Sequence, residues 1–536
     1  MLDGCVPWPK EFADRYRDEG YWQGVVLGDL LRTTSREDSE RVAVVAGEER
    51  LSYGTLDTRA DRLAAGLRGL GVGHHDRVIV QLPNSVEFVV VLVALFRVGA
   101  VPVLALPAHR RSEICYLARH CDAVAYIVPD IVDSFDYREL AAEVSAEAPT
   151  LRHVLVAGDP GPFKALDAVD DDPGEAATPD PGDVAFFLLS GGTTGAPKLI
   201  PRTHDDYAFQ MRATAREMGL DRDGVYLAAL PAAHNAALGC PGVLGTLWQQ
   251  GRVVLGRTPS PDEVFPLIER EGVTLTTLMP AFVALWVELA DLYEPDFSGL
   301  TIEVGGAKLD PEVARQVRPV LGATLSHWFG MAEGPLCFTR RDADPETVAL
   351  TQGYPLCEAD ELRVVDEDGA DVAPGAVGEL LYRGPTTLRG YYRAEEHNAR
   401  TMTPEGFLRT GDLVRIDDEG RLVVEGRSKD VVNRGGEKVP AEEVEENLRG
   451  HPGVRDAAVL AIPDRALGEK TCAVIVAEGE APALAELKDF LSGRGMAEFK
   501  LPDRLETVPA LPYTSIGKID KRALRAQLDQ GRESSR

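Results

Sequence analysis

The segment from Phe186 to Lys198 has the composition of a phosphate-binding site. Four apolar residues, Phe186 to Leu189, run into the turn Ser-Gly-Gly-Thr-Thr-Gly-Ala-Pro-Lys. Glycines let the backbone approach an anion closely, and hydroxyl groups and a lysine ammonium can donate to phosphate oxygens. The segment is not a P-loop, because Leu199 stands where a P-loop has serine or threonine. The string is more specific than a flexible glycine turn, and the predicted phosphate contacts are Ser190, Gly191, Gly192, Thr193, Thr194, Gly195 and Lys198.

Five further motifs follow this segment in a fixed order. They are Gly305-Gly306-Ala307-Lys308, Phe329-Gly330-Met331-Ala332-Glu333, Arg409-Thr410-Gly411-Asp412, Gly426-Arg427-Ser428-Lys429-Asp430 and Pro512-Tyr513-Thr514-Ser515-Ile516-Gly517-Lys518. With these strings, the chain resembles the adenylate-forming superfamily of acyl-CoA synthetases, peptide-synthetase adenylation domains and luciferases over nearly its whole length. Six ordered matches at family-like spacing make coincidence implausible.

The resemblance implies a nucleotide-binding role for each motif, and side-chain chemistry agrees. Asp412 is an acceptor for both ribose hydroxyls, and Arg427 can join it there. Glu333 supplies the hard oxygen that Mg²⁺ prefers. Lys518 follows Gly517 in a turn-like segment, and its ammonium could bridge two anions, the acid's carboxylate and the α-phosphate. The remaining ATP or AMP contacts implied are Gly306, Ala307, Lys308, Phe329, Gly330, Met331 and Ala332.

The implied reaction has two halves and requires ATP and Mg²⁺. A substrate carboxylate first attacks the α-phosphate of ATP, and pyrophosphate leaves; catalysis is mostly positioning and charge stabilisation. The C-terminal domain then swings about the hinge residues Lys429 and Asp430, and a thiol attacks the acyl-adenylate. The sequence itself shows only a segment suited to a hinge.

The segment from Leu230 to Asn235 bears on the identity of the acid. The pair His234-Asn235 resembles the aryl-acid branch of the superfamily, which activates salicylate or 2,3-dihydroxybenzoate for siderophores and related products. A lone histidine is usually structural, but the position of His234 favours a catalytic role. Asn235 stands where amino-acid-activating relatives carry an aspartate; its amide cannot balance an ammonium group but can hydrogen-bond an ortho hydroxyl.

Three further residues point to a salicylate-type acid. Dihydroxybenzoate-activating relatives typically have serine at the position of Cys240 and valine at that of Leu336. Cysteine is a weak partner for a 3-hydroxyl and leucine is apolar, so salicylate is expected to be preferred. Ala236 replaces an aromatic residue common in the family and would enlarge the pocket for a ring substituent such as methyl, unless Trp328 or Phe338 fills the space. Gly306 completes the predicted aryl-acid contacts.

The pattern of elements predicts an α/β fold. Apolar strand-like runs alternate with amphipathic helical stretches from about Leu51 onward, which implies parallel-type sheets covered by helices. After residue 428 the chain restarts with a short α+β pattern. We therefore predict a large N-terminal domain over residues 1–428, with the ATP and aryl-acid sites, and a small mobile C-terminal lid domain over residues 429–536, which carries Lys518.

Composition limits the other classes of function. The 536 residues exceed what one hydrophobic core supports, and the net charge of −29 with no basic stripe argues against nucleic-acid binding. The charge also means that a site for anions must supply its own positive groups. The seven cysteines show no metal-binding pattern. No apolar run spans a membrane and no signal peptide is apparent, so a cytoplasmic protein without membrane association is expected.

Other functions remain open at this stage. A 2,3-dihydroxybenzoate-AMP ligase or an aryl-CoA ligase would carry the same motifs. If an aryl carrier protein is the acceptor, a stand-alone carrier with a phosphopantetheine arm is the expected partner, because no carrier serine motif occurs in the chain. A catalytically inactive binding module is disfavoured by the presence of Lys198, Glu333, Asp412 and Lys518.

Overall fold

A computed structural model describes residues 1–174, 178–190, 197–306, 309–427, 431–434, 437–464, 468–494, 496, 498–514 and 517–533. The chain divides into two compact units. The first comprises Met1–Val348, Pro355–Glu361 and Arg383–Leu408, and the second comprises Ala349–Tyr354, Leu362–Tyr382 and Arg409–Arg536. The predicted boundary between residues 428 and 429 stays a prediction. Within the described ranges, no helix is both long and apolar enough to cross a membrane.

The first part of the chain alternates strands and helices, as the sequence pattern predicts. Its strands are β1 (Val42–Ala46), β2 (Glu49–Ser52), β3 (Arg77–Val80), β4 (Val101–Leu104), β5 (Ala125–Pro129), β6 (Ile131–Val132), β7 (Phe135–Asp136), β8 (His153–Ala157), β9 (Lys164–Ala165), β10 (Val184–Leu189), β11 (Leu199–Thr203), β12 (Val225–Ala228), β13 (Arg252–Leu255), β14 (Leu275–Leu278), β15 (Thr301–Val304), β16 (Thr324–Gly330), β17 (Leu336–Phe338) and β18 (Tyr354–Pro355).

Helices connect and cover these strands. They are α1 (Lys10–Asp18), α2 (Arg32–Glu37), α3 (Tyr53–Gly69), α4 (Val86–Val98), α5 (Arg111–His120), α6 (Tyr137–Glu147), α7 (His204–Glu217), α8 (Asn235–Gly239), α9 (Gly242–Trp248), α10 (Pro261–Glu271), α11 (Pro280–Tyr293), α12 (Pro311–Gln316), α13 (Pro345–Leu350) and α14 (Glu395–Thr401). Side-chain caps define several of their N-termini. At α7, for example, the Thr203 hydroxyl oxygen accepts from the backbone N–H of Asp206, and the Asp206 carboxylate accepts from the backbone N–H of Thr203. The two bonds form a capping box.

Two mostly parallel sheets organise the first unit. One has the strand order β11-β10-β4-β3-β5-β8-β9, and the other contains β17-β16-β15-β14-β12-β13-β1-β2. Strands β12 to β16 pair in parallel, whereas the pairs β10–β11 and β16–β17 are antiparallel. Helix α4 is almost entirely buried, as expected for an apolar helix of an α/β fold. Three of the predicted nucleotide motifs lie at or directly after the ends of strands β10, β15 and β16.

The second unit has smaller sheets that are mainly antiparallel. Its strands are β19 (Glu361–Val365), β20 (Gly378–Arg383), β21 (Leu408–Ile416), β22 (Leu422–Arg427), β23 (Val431–Arg434), β24 (Glu437–Pro440), β25 (Val454–Asp464), β26 (Gly468–Ala477) and β27 (Arg504–Thr507), and its helices are α15 (Ala441–Arg449), α16 (Leu484–Gly493) and α17 (Lys521–Glu533). One sheet has the order β19-β20-β21-β22, and the other has the order β24-β23-β26-β25 with β27 paired to β26. The predicted fold class, a large α/β part followed by a small α+β part, is confirmed.

Candidate active site

The predicted phosphate segment lies between two antiparallel strands. Strand β10 leads into it and β11 leaves it, with Leu189 paired to Leu199. The base of the turn is closed because the N–H of Lys198 donates to Ser190 Oγ at 3.0 Å and the N–H of Ser190 donates to the carbonyl of Lys198 at 2.9 Å. The rest of the turn, including Gly191, Gly192, Thr193, Thr194 and Gly195, lies outside the described residues.

A second hairpin presents the motif that contains Glu333. Phe329 and Gly330 end β16, and Gly330 pairs with Leu336 at the start of β17. A side chain at position 330 would collide with the Leu336 side chain, since an added Cβ would lie 2.6 Å from it. Met331 donates its N–H to the carbonyl of Pro335 at 3.1 Å, which closes the turn around Ala332 and Glu333.

The tip of this hairpin is fastened to the segment that precedes α14. Tyr391 Oη donates to Glu333 Oε1 at 2.7 Å, the N–H of Leu388 donates to the carbonyl of Glu333 at 2.7 Å, and Thr386 Oγ1 donates to the carbonyl of Gly334 at 2.8 Å. Gly334 has a φ of 119°, and an added Cβ would lie 1.9 Å from the carbonyl oxygen of Thr386. Only glycine fits at this contact. The carboxylate of Glu333 is thereby fixed in a buried position.

The predicted adenine turn follows β15. Gly306 has a φ of 78°, in the left-handed region that favours glycine, and its Cα faces the Met279 side chain closely enough that a Cβ would lie 2.8 Å from the sulfur. The preceding Gly305 packs against the ring of Trp328. Ala307 and Lys308 lie outside the described residues.

Two of the predicted aryl-acid residues, Asn235 at the start of α8 and Cys240 just after its end, belong to a buried polar network. Asn235 Oδ1 accepts from Tyr207 Oη at 2.9 Å and from Gln210 Nε2 at 3.5 Å, while Asn235 Nδ2 lies 3.6 Å from the sulfur of Cys240. Gln210 Nε2 also donates to the carbonyl of Gly239 at 3.0 Å and contacts the Cys240 sulfur at 3.2 Å. The amide of Asn235 is therefore oriented by α7, with its oxygen engaged and its nitrogen directed toward Cys240.

Burial sets the protonation of the two titratable members of this network. It raises the pKa of Tyr207 well above its usual value, and it raises the pKa of the Cys240 thiol as well. Tyr207 is consequently a hydroxyl donor to Asn235, and Cys240 is a neutral thiol rather than an anion that would repel a carboxylate substrate.

Arg202 connects the network to both hairpins. It lies on β11, its side chain is completely buried, and its Nη2 donates to Gln210 Oε1 at 2.9 Å. Its Nη1 donates to the carbonyl of Ala332 at 3.1 Å, and its Nε donates to Asp206 Oδ1 at 2.9 Å. One guanidinium group thus links the strand after the phosphate turn, the Glu333 hairpin and the aryl-acid network.

Three other predicted residues, His234, Ala236 and Leu336, also lie in the first unit. His234 precedes α8, and its Nδ1 accepts from the N–H of Ala236 at 3.3 Å. Ala236 and Leu336 are buried, and both belong to one hydrophobic cluster that includes Trp328. Phe338 is part of that cluster too.

The remaining predicted residues lie in the second unit. The buried Asp412 sits on β21, its N–H donates to Thr410 Oγ1 at 3.1 Å, and its backbone is in register with Arg427 on β22. The side chain of Arg427, and the hinge residues Lys429 and Asp430, lie outside the described residues. The pairing of two antiparallel strands brings the two predicted ribose-binding positions side by side.

Lys518 lies in a tight turn, as the sequence predicts. Its N–H donates to Thr514 Oγ1 at 3.1 Å, and its carbonyl accepts from the N–H of Thr514 at 2.7 Å. Gly517 has a φ of 75° and donates to the carbonyl of Thr514 at 2.9 Å. Tyr513 and Ile519 form an antiparallel bridge at the base. The backbone of Lys518 is therefore held by its two hydrogen bonds to Thr514.

Comparison with known proteins agrees with this arrangement. The family model of AMP-binding enzymes matches residues 31–392, and the model of the AMP-binding enzyme C-terminal domain matches residues 443–518. The chain is 51% identical to 2,3-dihydroxybenzoate-AMP ligase of Bacillus subtilis, over 99% of this chain and 98% of that protein. It is 50% identical to salicyl-AMP ligase / salicyl-S-ArCP synthetase of Mycobacterium tuberculosis, over 98% of this chain and 95% of that protein. The apo structure of Mycobacterium smegmatis MbtA matches with a TM-score of 0.77 and 47% identity, over 97% and 98%.

The chain therefore belongs to the family of AMP-binding enzymes. Within that family it is an adenylate-forming AMP ligase of the aryl-acid branch, which confirms the resemblance seen in the sequence motifs. The two named ligases differ in the aryl acid that their names give, so the family match alone does not identify the acid.

Replacing Arg202 with Met is expected to destabilise the first unit by about 3–5 kcal/mol, because it leaves the carboxylate of Asp206 buried without its cation. The midpoint of denaturant unfolding measures this. Arg216→Met, at an exposed position of the same helix as Asp206, is the matched control and should change the midpoint little. Equal effects of the two substitutions would contradict the central role of Arg202.

Replacing Tyr207 with Phe should raise the KM for the aryl acid by roughly ten-fold while changing the KM for ATP little. The substitution removes only the hydroxyl that donates to Asn235, so the amide loses its orientation. Pyrophosphate exchange at varied acid and varied ATP separates the two constants. Tyr226→Phe removes another buried hydroxyl, which bonds Thr277 rather than Asn235, and serves as the control for general loss of packing. A rise confined to the KM for ATP would contradict the assignment.

Proposed function

We propose that the enzyme activates salicylate, or a ring-substituted salicylate such as a methylsalicylate, and transfers the aryl group to the phosphopantetheine thiol of an aryl carrier protein, in the biosynthesis of a siderophore or related natural product. The observation that carries the proposal is the buried amide of Asn235, whose Nδ2 faces the sulfur of Cys240. The buried Leu336 belongs to the same hydrophobic cluster as Cys240. An amide there suits a 2-hydroxyl, and the thiol and the leucine offer little to a 3-hydroxyl.

The environment of Asn235 supports this choice. Its Oδ1 already accepts from Tyr207, so the N–H groups of Nδ2 are the donors that would meet a hydroxyl oxygen. The partner of Nδ2 in the structure is the sulfur of Cys240 at 3.6 Å, which is a weak acceptor. A 2-hydroxyl oxygen would be a stronger one. Benzoate lacks that oxygen and should be a poor substrate.

In the first half-reaction, an oxygen of the substrate carboxylate bonds to the α-phosphorus of ATP while the bond from that phosphorus to pyrophosphate breaks. The ammonium of Lys518 would bridge the carboxylate and the α-phosphate and reduce the repulsion between them. Lys198 and the donors of the phosphate turn would hold the leaving phosphates, with Asp412 and Arg427 on the ribose. His234 would help to position the acid beside Asn235.

Glu333 is suited to hold Mg²⁺. Its carboxylate is buried and fixed, and one hydroxyl donor, from Tyr391, leaves acceptor capacity on a group with two oxygens. When bound, the ion would offset the negative charge of the ATP phosphates.

In the second half-reaction, the sulfur of the carrier thiol bonds to the acyl carbon, the thiol loses its proton, and AMP leaves with the bond electrons. The name of the Mycobacterium tuberculosis relative, a salicyl-S-ArCP synthetase, supports a carrier protein as acceptor. CoA is the alternative acceptor, and turnover with CoA in place of the carrier would favour an aryl-CoA ligase. The 51% identity to a 2,3-dihydroxybenzoate-AMP ligase keeps that acid as the competing substrate.

Replacing Lys518 with Ala should lower the rate of adenylation by roughly 10²–10³ and spare thiolation of a preformed aryl-adenylate, because one preorganised cation is lost from the first transition state alone. Pyrophosphate exchange and single-turnover transfer measure the two halves. Lys470→Ala is the control in the same unit, since Lys470 forms a partly exposed ion pair with Asp464. Near-normal exchange in the Lys518 variant would remove this residue from the mechanism.

Salicylate should exceed 2,3-dihydroxybenzoate in kcat/KM by roughly ten-fold or more, because a buried 3-hydroxyl would lack a good partner. The double substitution Cys240→Ser with Leu336→Val should narrow or invert this ratio. Ala236→Tyr should penalise methylsalicylates more than salicylate by filling space. A panel of acids in the pyrophosphate exchange assay gives all the ratios.

The same panel of acids also tests the choice of acid separately from aryl-acid adenylation itself. If 2,3-dihydroxybenzoate is preferred by the native enzyme, the choice of acid is wrong although aryl-acid adenylation stands. If the substitutions change kcat/KM for every acid alike, these residues act in packing alone.

A further inference from the structure

A cluster of metal-ligating side chains lies at the amino edge of the sheet that contains β10. His74 and His75 precede β3, and Asp183 precedes β10. Strand β4 pairs in parallel with both β3 and β10, so these strands begin at the same edge of the sheet. The phosphate segment follows the other end of β10, and the six residues of that strand separate it from Asp183 by about 20 Å. The cluster is therefore distinct from the candidate active site.

The three side chains are close enough to share one ion. His74 Nε2 lies 3.4 Å from Asp183 Oδ2, and His75 Nε2 lies 3.4 Å from Asp183 Oδ1. One ligand atom from each residue lies within 4.8 Å of the others. Zinc binds histidine nitrogen and carboxylate oxygen at about 2.0–2.2 Å in a tetrahedral geometry, which sets its ligand atoms about 3.4 Å apart. Both nitrogen–oxygen distances match that spacing.

The nitrogen of His75 that faces the cluster lacks a hydrogen bond. This atom, Nε2, is buried and has no hydrogen-bond partner among the described residues, because its contact with Asp183 does not have hydrogen-bond geometry. A buried polar atom without a partner costs folding free energy. A bound metal ion is one of the few partners that would recover this cost.

The backbone around the two histidines orients their rings. The N–H of His75 donates to the carbonyl of Gly99 at 2.8 Å. Gly99 ends α4 with a φ of 75°, and the ring of His74 packs against it so closely that an added Cβ would lie 2.7 Å from His74 Nδ1. The two imidazole rings stack with their centroids 3.8 Å apart. Both rings consequently present Nε2 to the same carboxylate.

Asp183 connects this cluster to the start of two elements. It immediately precedes β10, and its carbonyl accepts from the N–H of His204, the first residue of α7, at 3.2 Å. The amino group of Met1 lies 2.8 Å from Asp183 Oδ1, and a carboxylate has acceptor capacity for more than one partner. An ion bound to Asp183 would therefore link the segment before β3 to both β10 and α7.

We propose that His74, His75 and Asp183 form a zinc site that stabilises the first unit, with water in the fourth position. Imidazole nitrogens suit zinc, and the carboxylate offsets part of its charge. The ring of His74 is half exposed, which gives the ion a path from solvent. The ion takes no part in the proposed adenylation, since it would lie at the opposite edge of the sheet.

The first experiment measures zinc binding to the full chain, without an affinity tag and without nucleotide, by titration calorimetry. We expect one ion per chain. Loss of an outer-shell partner alone costs roughly 10–100-fold in metal affinity, so His74→Gln, which removes a ligand, should weaken binding by about 100-fold or more. His75→Gln and Asp183→Asn should do the same. His120→Gln, at a partly buried histidine outside the cluster, is the matched control and should bind zinc as the native chain does.

The second experiment measures the midpoint of thermal unfolding with and without zinc. Zinc should raise the midpoint of the native chain, because the folded chain holds the three ligands together. His74→Gln should unfold near the native midpoint without zinc and should show no rise with it. Since the side chain of His74 is half exposed, this variant tests the proposal even if Asp183→Asn fails to fold.

Three results would overturn the inference. Absence of zinc binding would reduce the cluster to ion pairs between the histidines and Asp183. Binding that all three substitutions leave unchanged would assign the ion to other side chains. A rise in the midpoint that persists in His74→Gln would refute the stabilising role. None of these results bears on the proposed function, because neither experiment involves the aryl acid or ATP.

Discussion

The buried guanidinium of Arg202 is the interaction on which the geometry of the first unit depends most. It contacts the backbone of Ala332, the amide of Gln210 and the carboxylate of Asp206. Arginine suits this position because its donors are rigidly arranged and point in several directions at once. The segments that it joins come from two different sheets, and a shift of either sheet would break at least one of these bonds. A single side chain in this way joins the Glu333 hairpin to the helix that carries Gln210.

Because Arg202 is buried and paired with a carboxylate, its positive charge is not available to bind substrates. Asp206 lies 2.8 Å from Arg202 and balances it, so Arg202 acts as scaffold rather than as a phosphate partner. In a chain with a net charge of −29, the positive charge for two anionic substrates must come from elsewhere. Lys198, at the base of the predicted phosphate segment, and Lys518, in its own turn, are two of the cations that the motifs supply. In the proposed mechanism, the structural cation and the cations that meet the substrates are thus separate groups.

Local features of the fold and of the site follow from the sequence, and features that depend on strand register do not. The alternation of strands and helices from about Leu51 onward could be predicted from apolar periodicity, and the turn at Lys518 from its glycine. Asn235 was identified as a pocket residue, yet nothing in the sequence shows that Tyr207 already occupies its oxygen. Tyr207, Gln210 and Arg202 were missed because each acts through a contact between elements far apart in the chain.

The fastening of the Glu333 hairpin has a consequence for how the protein is made. The hairpin is complete in the chain by Phe338, but the groups that hold its tip, from Thr386 to Tyr391, come about fifty residues later. On a ribosome that adds about 5–20 residues each second, the tip remains without these partners for several seconds. The strands of the first unit can pair during that interval, whereas the carboxylate suited to the metal ion cannot be fixed. Assembly of the nucleotide site is therefore a late event in synthesis of this chain, and a nascent chain that stalls before Thr386 has a sheet but no finished site.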